Sequence, residues 1–94
     1  MLTDKQKNDI ANRLSRISGQ INGIQKMIET DRYCVDILTQ TSAVVAALRT
    51  VEDLVMENHL NTCVADAMRS DDPTEQREKV GEVMDVIARL RKRG

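Results

Sequence analysis

At 94 residues, with 31% charged side chains and Tyr33 as its single aromatic, the chain has room for one small domain whose core is built from aliphatic side chains and Met. A net charge of −1 excludes a protein that holds nucleic acid by bulk charge, yet the charge is uneven: residues 1–32 carry six basic and four acidic side chains, residues 33–72 two and seven, residues 73–94 six and four. A basic surface built from the two ends therefore stays open beside the plainer reading of solvated helix faces.

The first apolar stripe is Ile10, Leu14, Ile17, Ile21, Ile24 and Ile28, stepping by four and three. It predicts a helix that Thr3 or Asp4 caps and that ends near Thr30-Asp31. Gly19 and Gly23 lie inside it on one face, and each weakens the helix by about 1 kcal/mol against Ala. Close approach of another helix is the reason we expect for them. A second stripe, Ile37, Thr41, Val44, Leu48, Val51 and Val55, continues through His59 to Ala67 without Gly or Pro. It predicts one long helix from about Tyr33 to Ser70, stopped by S-D-D-P with Pro73. A third helix, about Thr74 to Lys92, carries Val80, Val83, Ile87 and Leu90. No strand pattern, repeat or linker interrupts this, so residues 1–94 are expected to form one all-α domain of three helices.

No uninterrupted apolar run approaches the roughly 18 residues that a membrane span needs, and no secretory pattern opens the chain. A cytoplasmic protein without a membrane partner is expected. In a reducing compartment its two cysteines read as free thiols, ligands or redox sensors rather than a staple.

The stretch N-H-L-N-T-C-V, residues 58–64, holds the only histidine and one of the two cysteines. His59 and Cys63, four apart, share a helix face, the spacing of two ligands on a helix. Cys34 precedes Cys63 by 29 residues, about 43 Å along one continuous helix. A metal–ligand bond is about 2.0–2.3 Å, so a single chain cannot close the three into one site. Two antiparallel copies of the long helix can, crossing near residues 47–48, where Ala43, Ala46 and Ala47 permit close approach. That arrangement gives two identical sites per dimer, each completed by both chains. Two thiolates and an imidazole without a fourth ligand fit Cu(I) better than structural zinc. Singly, each residue reads as an ordinary buried thiol or a surface histidine; jointly, their spacing favours a site.

N-R-L-S-R-I-S-G-Q-I-N-G-I in the first helix, D-R-Y-C-V-D-I-L-T-Q at the start of the second and N-H-L-N-T-C-V near its end resemble the copper-sensing CsoR/RcnR-type bacterial transcriptional repressors, over nearly the whole chain. The resemblance implies a three-helix subunit, an antiparallel four-helix-bundle dimer and a dimer of dimers, a homotetramer that binds operator DNA without a helix-turn-helix and leaves it when the effector binds. Cys34, His59 and Cys63 match the Cu(I) ligands of the copper subgroup. Nickel and cobalt sensors of the family resemble it at Cys34 and His59 but have histidine in place of Cys63 and another near the N-terminus, which here reads M-L-T-D. Persulfide sensors lack the histidine, and formaldehyde sensors lack the second cysteine. The resemblance further implies an outer shell of Tyr33 and Glu82 that couples the metal to DNA, and DNA contacts from Arg13, with Arg16 and Lys26 nearby. The family's second basic position falls on Thr50, with Arg49 just before it. The terminal R-L-R-K-R-G adds non-specific attraction or is simply a solvated tail.

Other readings stay open. A thiol or persulfide sensor of the same fold would use Cys34 and Cys63 with His59 incidental, and a nickel, cobalt or formaldehyde sensor would keep the fold with another effector. A metal-binding module without DNA is a further rival. An enzyme is not expected, because one histidine and no nucleophile–base–orienter set leave nothing to build a reaction on.

Overall fold

The computed structural model describes residues 2–92, and within them there is helix and no strand. The described residues divide into two compact units, residues 2–56 and residues 57–92.

The first unit is a helical hairpin. α1 spans Asp4–Glu29 and opens on a capping box: Thr3 Oγ1 accepts from the Gln6 amide at 3.1 Å, and Gln6 Oε1 accepts from the Thr3 amide at 2.8 Å. Thr3, not Asp4, is therefore the cap. The helix ends in a Schellman motif, with Arg32 N–H donating to Met27 O at 2.9 Å and Asp31 N–H to Ile28 O at 3.3 Å. That motif puts Asp31 at φ 53°, in the left-handed region where glycine is at home. Replacing Asp31 with Gly is expected to stabilise the protein by about 0.5–1 kcal/mol, read as a higher denaturant midpoint at fixed chain concentration. A lower midpoint would mean that the Asp31 side chain contributes more than its backbone costs. α2, Cys34–His59, starts on the Tyr33 carbonyl, which accepts from Ile37 N–H at 3.2 Å.

Ile17 on α1 and Val44 on α2 are the hairpin's only buried side chains among the described residues. The rest of both apolar stripes is partly or largely exposed, with Leu14, Ile21, Ile28, Leu48 and Val55 all open to solvent. The expectation for Gly19 and Gly23 is not met within the chain: a Cβ at either meets nothing within 4 Å. Gly19→Ala should therefore raise stability by about 0.5–1 kcal/mol through helix propensity alone. A loss, seen by circular dichroism in denaturant together with a change in oligomeric state, would mean that this face is covered in the assembled protein.

The second unit holds the end of α2, a π-helical turn Leu60–Val64, α3 (Ala65–Arg69) and α4 (Pro73–Lys92). The expected unbroken helix from Tyr33 to Ser70 is thus corrected. At residues 60–64 the ladder widens by one residue, and the Ala65 amide donates to Leu60 O, five residues back. Thr62 Oγ1 donates to Asn58 O at 2.8 Å, competing with the backbone amides for that carbonyl. The same back-bond at Thr39, Thr41 and Thr50 leaves α2 regular, so the hydroxyl alone does not cause the turn. Pro73 stops the preceding segment as expected and is also the first residue of α4, with Asp72 as its cap: Oδ1 accepts from Thr74 N–H at 2.9 Å. Gln76 Nε2 donates to Ser70 O at 2.7 Å and ties the α3–α4 corner. Ala67 and Val83 are the buried residues of this unit.

One expectation about membranes needs correction. Uninterrupted apolar runs are short, but the 36-residue helical stretch Cys34–Arg69 is long and apolar enough, by length and composition, to cross a bilayer. Its scattered Thr, Ser and Gln residues hid this from a search for continuous runs.

Candidate metal centre

Cys34 is the first residue of α2 and is exposed; Cys63 sits in the π turn and is half-buried, and neither forms a disulfide. Among the described residues of one chain, no three His, Cys, Asp or Glu side chains converge on a metal-sized point. His59 closes α2, with its side chain 27% exposed. Four residues of α-helix turn slightly more than once, whereas a π turn spends about one residue more per turn. His59 and Cys63 therefore stay on one side, as their spacing implied, but on a locally wider coil.

The histidine lies near α4. His59 Nε2 lies 3.9 Å from Glu82 Oε1, and the other Glu82 oxygen lies 3.5 Å from Lys79 Nζ. The Nε2 edge thus lies toward a carboxylate. The 3.9 Å separation is an ion pair when His59 is protonated and is too long for a hydrogen bond. Cys63 Sγ lies 3.7 Å from Thr62 Oγ1, whose single proton is already directed to Asn58 O, so the contact beside the thiol is only a weak polar one. Thiols and an imidazole are soft donors of the kind that suit Cu(I). Sequence reasoning missed Lys79 at this carboxylate, although K-x-x-E, an i,i+3 pair on one helix, was there to be read. Tyr33 is 69% exposed, directly before α2.

The candidate DNA residues are not all together. Arg13, Arg16 and Gln20 of α1 line a small open pocket with Ile17, Ala47 and Thr50. Thr50, the position where a basic residue was sought, faces the two arginines, while Arg49 is exposed and absent from that lining. Lys26 is corrected more plainly. Thirteen residues on from Arg13, it stands about 20 Å further along α1 and roughly 140° round it, not on the same side. Gln20 was not singled out from sequence; its spacing of seven from Arg13 on one helix face was the available signal. Arg89, Arg91 and Lys92 form the last turn of α4; the end of that basic tail, Arg93 and Gly94, lies outside the described residues.

Residues 6–89 match the family described as metal-sensitive transcriptional repressor. The chain is 48% identical over 90 residues to the copper-sensing transcriptional repressor CsoR of Bacillus subtilis, covering 96% of this chain and 86% of that one. It is 45% identical over 86 residues to the copper-sensing transcriptional repressor RicR of Mycobacterium tuberculosis, covering 92% and 88%. Among solved structures, the copper-sensing repressor CsoR with Cu(I) from Geobacillus thermodenitrificans superposes with a TM-score of 0.86 at 44% identity, over 96% of this chain and 91% of that one.

Proposed function

Since the chain belongs to the metal-sensitive transcriptional repressor family, we propose that it is a cytoplasmic Cu(I)-responsive repressor, a regulator and not an enzyme, which binds operator DNA when metal-free and leaves it when Cu(I) binds. In this reading residues 1–94 work as one metal-sensing, DNA-binding domain assembled as a dimer of dimers. Cys34 of one subunit and His59 and Cys63 of the partner subunit hold the metal. The observation that carries the reading is the imidazole of His59, with Nε2 3.9 Å from Glu82 Oε1, four residues from Cys63 in sequence. α2 runs unbroken from Cys34 to His59, 26 residues or about 39 Å of helix, which favours completion of the site by a second copy.

The residues suggest how the signal leaves the site. With Nδ1 engaged, His59 carries its proton on Nε2, and Glu82 is the acceptor nearest to that proton. Closing the 3.9 Å gap draws α4 toward the end of α2 and competes with Lys79 for the carboxylate. Tyr33 is the second outer partner in this proposal. The effector shifts DNA affinity only by its preference for one of two arrangements of these helices. The DNA-facing residues are Arg13 and Arg16, which neutralise phosphates; Lys26 and Arg49, set apart from them, contribute charge alone.

The test is an anaerobic Cu(I) titration of the protein–operator complex, with X-ray absorption on the loaded protein. One Cu(I) per subunit with two sulfur and one nitrogen neighbours, and loss of operator affinity on loading, is the expected result. No change in operator affinity on loading sinks the proposal. Full release by polysulfide in a His59→Ala variant that no longer answers to Cu(I) would transfer the function to the thiols.

A further inference from the structure

Arg13 does not offer its guanidinium freely. Its Nε lies 3.5 Å from the Asp9 carboxylate, one turn back on α1. Asp9 is 52% exposed and Arg13 38%, so the pair sits at the surface, and Arg13 also lines a pocket with Arg16, Gln20 and Thr50. Its four polar side chains can each donate a hydrogen bond, and two are permanent cations, a lining that suits an anion. The one acidic group paired with it is Asp9.

We infer that Asp9 is a built-in competitor for the phosphate seat at Arg13, so that operator DNA binds by exchanging one anion for another. This rests on the proposed role of Arg13 as a phosphate contact. The consequence is ionic. A lone arginine that meets a phosphate releases about one condensed cation from DNA, adding about 0.9 to the salt slope of binding. An arginine whose charge is already partly met by a carboxylate brings less net positive charge to the phosphate, and part of the release is cancelled. Asp9 therefore weakens binding and flattens its dependence on salt, and it penalises any phosphate that approaches Arg13 without displacing it. A carboxylate that only braced the helix would alter stability and leave the salt slope alone.

The experiment is fluorescence anisotropy of the full-length, metal-free protein on operator DNA at several salt concentrations, for wild type, Asp9→Asn, Arg13→Ala and the charge-matched control Glu29→Gln. Glu29 is at the far end of α1, roughly 160° round the helix from Arg13. Asp9→Asn should bind about three- to tenfold more tightly and steepen the slope of log K against log salt, by up to about 0.9 for each Arg13 engaged, while Glu29→Gln behaves as wild type. Wild-type affinity and slope in Asp9→Asn, with weakened binding in Arg13→Ala, would overturn the inference and leave the DNA reading standing. Equal steepening in both charge variants would overturn it as bulk charge. Unchanged binding in Arg13→Ala would remove the phosphate contact, and the inference with it. If Asp9→Asn unfolds, Asp9→Ser in the same series replaces it, with the same outcomes.

Discussion

Changing Cys63 to serine is expected to abolish Cu(I)-dependent release of operator DNA while leaving metal-free operator binding within about twofold of wild type. The Cys63 thiol lies half-buried in a π turn, and no candidate DNA residue is on that segment. A structural site of four thiolate or imidazole ligands is worth about 10–16 kcal/mol, so one ligand carries roughly 3–4 kcal/mol, or a loss of about 10²–10³ in affinity. Competition with a Cu(I) chelator measures this directly. The same variant tests how the site is shared. Cys34→Ser and Cys63→Ser chains, each inactive, are mixed, unfolded and refolded together. If each site takes Cys34 from one chain and Cys63 from the other, random pairing restores about a quarter of the sites. A site closed within one chain restores none.

Glu82→Gln should separate metal binding from response. The carboxylate lies 3.9 Å from His59 Nε2 and 3.5 Å from Lys79 Nζ, so in the proposed site it stands beside a ligand rather than on the metal. Loss of such an outer partner costs about 10–100-fold in metal affinity, which leaves the site fillable at micromolar Cu(I). The coupling is a different quantity. Allosteric factors of about 5–150 between two ligands are typical, and here they should fall toward one, since glutamine removes the charged acceptor that draws on the loaded imidazole. Operator affinity measured with and without saturating Cu(I) reads this out. Full release by loaded Glu82→Gln protein would mean that the signal leaves the site by another route, with Tyr33 the next residue to change.

The three helical segments were legible in the sequence because aliphatic side chains recur at three and four and because Thr3 and Pro73 punctuate them. Each of those signals is local, and each acts within one turn of the residue that carries it. The π turn was not legible. Leu60–Val64 contains no glycine or proline, and the apolar period reads nearly the same whether a turn spends four residues or five. Asp31 in the left-handed region was hidden for a related reason, since the Schellman hydrogen bonds are made by backbone groups that every residue has. Of the candidate site, the placement of His59 and Cys63 on one side of the chain was legible from their spacing, and the separation of Cys34 from them was legible from helix length. The approach of Glu82 to His59 was not readable from periodicity, because it depends on how α4 folds back on the π turn. Only resemblance to the repressor family pointed to it. The arginine pocket shows the opposite limit: Arg13 and Arg16 are conspicuous as charges, but only tertiary packing shows that Thr50 faces them and Arg49 does not.

The hairpin of α1 and α2 buries just two side chains, Ile17 and Val44. A chain assembled as proposed then has little folded existence apart from its partners, and mass action governs its persistence. For a dimer, each tenfold dilution lowers the stability counted per dimer by about 1.4 kcal/mol. At the few copies per cell on which a repressor of one promoter can run, newly made chains wait unpaired, and an unpaired chain is the form that proteases find. Scarce subunits should thus be lost faster than abundant ones, so that a small pool shrinks further, and the melting temperature of the purified protein should climb with its concentration.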